Sequence, residues 1–126
     1  MAVSDLTVLL RTMEPVLTPE PYGFAVREGP LPFAAFVTVA EEEGLTVVAP
    51  LAAMQAAGMV SEPWARISLT VHSDLAAVGL TAAFAGALGR VGISCNVIAG
   101  YHHDHLFVQW DRREAAMAAL RELSRG

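Results

Sequence analysis

The chain contains no lysine, and all eight of its cationic side chains are arginine. Without an ε-amino group it has no Schiff-base chemistry, no pyridoxal attachment and no phosphate-loop lysine. Its one cysteine, Cys95, can close no internal disulfide and build no thiolate zinc cluster. That residue falls in an apparent strand, Ser94 to Ala99, with no arginine or helix N-terminus nearby to lower its pKa, so it reads as a buried, inert thiol. Cations are also scarce: 8 arginines face 13 carboxylates, for a net charge of −5. The basic footprint of a nucleic-acid or anionic-membrane surface is therefore missing. Long hydrophobic runs are absent too. The longest, Val78 to Val91, is too short to span a bilayer and carries Thr81 and Arg90. The first residues, MAVSDLTVLL, show neither a basic region nor a long apolar one, and the expected location is cytoplasmic.

What the chain does have is core material. With 126 residues, 54% hydrophobic and 17% charged, it reads as one compact domain or two small lobes that share a core. Ser4 can cap a helix in which Leu6, Leu9, Leu10 and Met13 share a face, and Pro15 stops it. Strands follow at Tyr22 to Val26 and Ala34 to Val39, and the Glu41-Glu42-Glu43-Gly44 turn leads into the β-branched run Thr46-Val47-Val48. Pro50 closes that run before an alanine-rich helix, Leu51 to Ala57.

After Gly58 and Pro63, Ile67, Leu69 and Val71 alternate with Arg66, Ser68 and Thr70, which predicts a strand over Ala65 to His72 with one core face. The turn His72-Ser73-Asp74 feeds a helix beginning near Leu75. Along it Leu80, Phe84, Leu88 and Val91 form a core stripe, while Gly79, Ala83, Gly86 and Arg90 form a second, mostly small-residue stripe. Gly92 ends the helix, Ser94 to Ala99 returns as a strand, and His105 to Trp110 completes a hairpin. Asp111 and Glu114 read as a capping box for a last helix that buries Ala116, Leu120 and Leu123. The order is α-β-β-β-α and then β-α-β-β-α. Ala52-Ala53-Met54 is echoed by Ala115-Ala116-Met117, a hint of duplication.

Three places invite chemistry. His72-Ser73-Asp74 has the residue types of a hydrolase triad, but neighbours at a strand end point apart and cannot converge on one atom. Tyr101-His102-His103-Asp104-His105 could offer imidazoles from one hairpin face to a metal, although no helical His-x-x-x-His spacing supports it. The turn at Ser73 leading to Gly79 is the better site. Free amides and a helix dipole there suit a carboxylate or phosphate, and glycine lets a ligand come close to the backbone.

The stretch ISLTVHSDLAAVGLTAAFAGALGRVGISCNVIAGYHHDHLFVQWDRREAAMAAL resembles an ACT domain in the order of its strand, helix-opening glycine loop, helix, "GIS-N-V-I" strand and hairpin into "DHLFV". It is similar to a stand-alone bacterial ACT family of unknown function and to the ACT repeats of aspartate kinases and cytosolic arginine sensors. The resemblance implies an α+β, ferredoxin-like sandwich of two lobes, a degenerate one over 1–61 and an ACT domain over 62–126, with helices on one face of a mainly antiparallel sheet. It also implies a non-catalytic regulatory protein that needs no cofactor, binds a small molecule such as an amino acid, and forms a homodimer or larger homo-oligomer. Carried over by position, the ligand-binding residues are Val78, Gly79 and Leu80 at the helix start, Asn96, Val97 and Ile98 on the following strand, and Asp104 in the hairpin. Ser73 and Tyr101 complete the set. Two rival readings are a purely structural oligomerisation module and a metal protein built on His102, His103 and His105.

Overall fold

The structure is a computed structural model, and it describes residues 5–70 and 78–125. In chain order the elements are α1 (Leu6–Thr12), β1 (Pro15–Leu17), β2 (Tyr22–Arg27), β3 (Val37–Glu41), β4 (Gly44–Pro50), α2 (Leu51–Ala56), β5 (Trp64–Leu69), α3 (Leu80–Arg90), β6 (Asn96–Ala99), β7 (Asp104–Gln109) and α4 (Arg113–Arg125). They form two compact units, one of residues 1–18 with 65–126 and one of residues 19–64. The sequence boundary at 61–62 and this packing boundary differ: the first eighteen residues pack with the later part of the chain.

In the discontinuous unit the strands run β6-β7-β5-β1, with β1 antiparallel to β5 through Pro15 opposite Leu69 and Leu17 opposite Ile67. β1 was not expected, because three residues beginning with a proline carry no alternation that a sequence reading can detect. It takes the place of the outer strand of a ferredoxin-like sheet. Ala65, Ile67 and Leu69 point to a core that also holds Leu9 and Met13 next to α1, Leu80, Phe84 and Leu88 from α3, Leu106 and Val108 from β7, and Ala116, Met117 and Leu120 from α4. The alternation read over β5 is thus the pleat of a strand with one buried face.

Helix ends explain most of the differences from expectation. Asp5, not Ser4, caps α1, its Oδ1 accepting from the Val8 amide at 3.1 Å. α3 stops at Arg90, so Val91 falls beyond the helix and is 48% exposed, and Ala87 takes its place in the core stripe. The stop is a Schellman turn: the Ile93 amide donates to the Leu88 carbonyl at 3.0 Å and Gly92 to Gly89 at 3.0 Å. Asp111 lies within a 3-10 turn, Trp110–Arg112, that precedes α4, so it is not that helix's N-cap. Leu123 is half-buried rather than buried. The helix start expected near Leu75, and the residues Val71 and His72 expected to end β5, lie outside the described residues.

In the contiguous unit β4 sits between β2 and β3, antiparallel to both. β3 starts later than Ala34, at Val37, where pairing with Val48 begins. α2 lays Met54 on Val47 and Ala49 to make a small core. The approach is close enough that a Cβ on Gly23 would lie 2.6 Å from the Met54 sulfur. α2 ends as α3 does, with Met59 donating to the Met54 carbonyl at 2.9 Å and Gly58 to Gln55 at 3.0 Å.

Candidate functional site

α3 begins at Gly79, whose φ of +97° lies in the left-handed region and whose missing Cβ would otherwise sit 3.0 Å from a Leu6 methyl. Both facts demand glycine: the backbone turns a way that L side chains resist, and α1 closes the space above it. The helical ladder starts with the Ala83 amide donating to the Gly79 carbonyl at 2.9 Å. The amides of the first turn, ahead of Ala83, point out along the helix axis without an α-helical acceptor behind them. Val78 is 83% exposed beside them. Leu80 is different, because its side chain is buried in the core and only its backbone is left to meet a ligand.

The β6–β7 hairpin sorts the other candidates by face. Val97 pairs with Leu106 and packs on the core, so its side chain is turned away from any surface ligand. Asn96 and Ile98, opposite Phe107 and His105, lie on the other face. Ala99 pairs with Asp104 at the turn, which is closed by the Gly100 amide donating to the His103 carbonyl at 2.9 Å. Tyr101 stands exposed in that turn, edge-on to the His102 ring at 5.1 Å. Burial pushes the Asp104 carboxyl above its ordinary range, and neighbouring His103 pulls weakly the other way. Asn96 and Asp104 stand at opposite ends of the hairpin and on opposite faces of it, Asp104 on the side of Val97 and Leu106. Ser73, with its neighbours His72 and Asp74, lies outside the described residues.

A cluster that the sequence reading did not assemble occupies the face of Asn96 and Ile98. The His105 Nδ1 lies 2.9 Å from the Ser68 Oγ and 3.4 Å from an Arg66 guanidinium nitrogen. Burial first, then Arg66 and His103, holds the His105 imidazole below its usual value, which favours the neutral ring. The polar positions 66 and 68 of the β5 alternation were the available signal, but nothing in it names His105 as their partner. His105 is thereby turned toward β5, and among the described residues no group of three or more His, Cys, Asp or Glu is placed to hold a metal ion. Cys95 is half-buried, and burial raises its thiol to about 11. A thiol with that value is almost wholly protonated near neutral pH and a poor nucleophile. No helix among the described residues is long and apolar enough to cross a membrane.

Comparison with known proteins follows the same geometry. One ACT-domain family model matches residues 1–66 and a second matches residues 59–122. Among curated proteins, none matches this chain. A Vibrio cholerae protein of unknown function, described as a possible transport protein, is 45% identical over 94% of this chain and 95% of its own, with a TM-score of 0.85. An Agrobacterium tumefaciens protein is 17% identical over 89% of each chain, with a TM-score of 0.75. The ligand-free regulatory subunit of aspartate kinase from Thermus thermophilus is 10% identical over 89% of this chain and 98% of its own, with a TM-score of 0.59, a likeness of fold. With an ACT-domain match in each half and a relative of this identity over nearly its whole length, the chain belongs to the ACT-domain family.

Proposed function

We propose that this protein is a non-catalytic regulatory module that binds a free amino acid at the start of α3. The observation that carries the reading is the left-handed Gly79 at the start of α3, a helix that begins without a side-chain cap. An α-carboxylate laid on the amides of Val78 to Leu80 gains directed N–H donors and the positive end of the helix dipole. Asp104, whose carboxyl burial pushes above its ordinary value, gains an ammonium partner when ligand arrives. Tyr101 then contacts the side chain, while Asn96, Val97, Ile98 and Leu80 contribute backbone only. The regulatory aspartate kinase subunit that shares this fold supports the reading, as does membership of a family whose domains typically bind amino acids. The module works in the cytoplasm as a homodimer or larger homo-oligomer.

The test is thermal unfolding against each of the twenty amino acids, with zinc and chelator as controls. A ligand at about 100 times its Kd adds about 2.7 kcal/mol, enough to move the midpoint of a domain this size by several degrees. The expected outcome is a shift with one or a few amino acids that Asp104→Ala removes. A flat panel refutes ligand binding and leaves a structural module, and a response to zinc alone favours the histidine hairpin.

A further inference from the structure

We propose that the seam between α1 and α4 is a second binding site, for a small carboxylate that carries an apolar tail. Two adjoining recesses open along this seam, of about 480 Å³ and 430 Å³, and they share Arg11, Ser124 and Arg125. Each is of the size that small-molecule sites occupy. Their chemistry differs. The first adds Arg121, Thr12 and Glu14 to the shared residues, while the second adds the half-buried side chains of Leu10 and Leu123. A charged head and an apolar body have separate places, side by side.

The charge arrangement calls for an anion. Arg121 and Arg125 are four residues apart on one face of α4, a like-charge spacing that costs a helix stability, and Arg11 reaches the same recess from α1. Helix dipoles account for Arg11 and Arg125, which lie in the last turns of their helices, but not for Arg121 one turn earlier. Arg125 is offset by Glu122 at 3.3 Å; among the described residues neither Arg11 nor Arg121 has an ion pair. Glu14 lines the recess too, so the site keeps a surplus of positive charge suited to one carboxylate rather than a polyanion. The Ser124 hydroxyl donates to the Met13 carbonyl at 3.0 Å and ties the end of α4 to the end of α1, so the two backbones that carry the arginines are already joined.

The experiment is an amide NMR titration of the full chain with hexanoate, compared with 1-hexanol and with acetate. Hexanoate is expected to shift the resonances of Leu10, Arg11 and Ser124 saturably, with acetate weaker and hexanol without a saturable effect. Arg121→Glu and Arg11→Glu should each weaken hexanoate by about tenfold. Equal shifts from hexanol would reduce the site to an apolar groove, and equal shifts from acetate to charge screening. Unchanged affinity in both charge-reversal variants would also overturn the proposal. Binding here does not rest on the amino-acid reading: Asp104→Ala should leave the hexanoate shifts intact, so failure of either site is seen without the other.

Discussion

The two units use the same devices to unequal effect. Each has an antiparallel pair or triple of strands, and each has a helix closed by a Schellman turn. Yet the discontinuous unit gathers fourteen buried residues in one core, from three helices and from strands that include β5 and β7, while in the contiguous unit one short helix covers Val47, Ala49 and Met54, with Tyr22, Val48 and Leu51 also buried. Charge divides just as unevenly. Residues 19–64 hold Arg27 against Glu20, Glu28, Glu41, Glu42, Glu43 and Glu62, so they carry the chain's whole net charge of −5, and the remaining residues balance seven arginines against seven carboxylates. In an ACT pair, then, a shared family does not impose a similar core or charge. The balanced unit with the deep core is the one that has Gly79, the His105 cluster and the arginine seam. Forty-six residues with a small core and six carboxylates are left to be stable with little of their own.

The sharpest way to break this comparison is Leu9→Ala. Leu9 is fully buried, and its loss should cost about 2–5 kcal/mol. Hydrogen exchange should quicken throughout α3 and α4 while the amides of β2 and β4 keep their rates. Equal acceleration in both units would show that they unfold as one. Next in size is Gly23→Ala, whose Cβ would meet the Met54 sulfur at 2.6 Å and Ser61 Cβ at 2.9 Å. Overpacking of this kind costs about 1–3 kcal/mol, and denaturant unfolding should register it in the contiguous unit first.

Smaller effects come from titration. His105 has a folded value below the ordinary 6.5, so as pH falls from 6.5 the unfolded chain takes the proton first and stability drops until the depressed folded value is passed. Asp104 works in the opposite sense. Its folded value is above the ordinary 3.8, so between 3.8 and that raised value the folded chain holds the extra proton, and stability falls as pH rises through that window. Ring-proton NMR should place the His105 midpoint below the ordinary 6.5, and Ser68→Ala should move it. An unperturbed His105 would mean that the cluster on the helix-free face is not formed. Asp104→Asn should slightly raise the unfolding midpoint at neutral pH, and a fall would refute the desolvation account.

How much of this the sequence disclosed depended on whether a signal was local. Alternation over residues 65–69 marks β5 because a pleated strand sends every second side chain to the core. Gly58 and Gly92 mark helix ends because the Schellman turn closes within six residues. β1 left no such trace, since what makes it a strand is Leu69, Ser68 and Ile67, some fifty residues away along the chain. Ser68 and His105 are likewise 37 residues apart, so their hydrogen bond is a product of strand order and not of spacing. At the helix start, Gly79 was readable as a place for close approach, but that Leu80 and Val97 turn their side chains inward follows only from the packing of α3 and the pairing of β6 with β7.

The tie from Ser124 to Met13 joins residues 111 positions apart. During synthesis the residues of α1 and β1 leave the ribosome long before their core partners exist, whereas residues 19–64 are complete as a unit before those partners are made. α1 is therefore born with an apolar face, Leu6, Leu9 and Leu10, whose native cover begins only with β5 and α3 and is complete only with α4. The order in which the ribosome makes this protein runs against the order in which its larger core can close, and its most exposed moment is the interval between those two events.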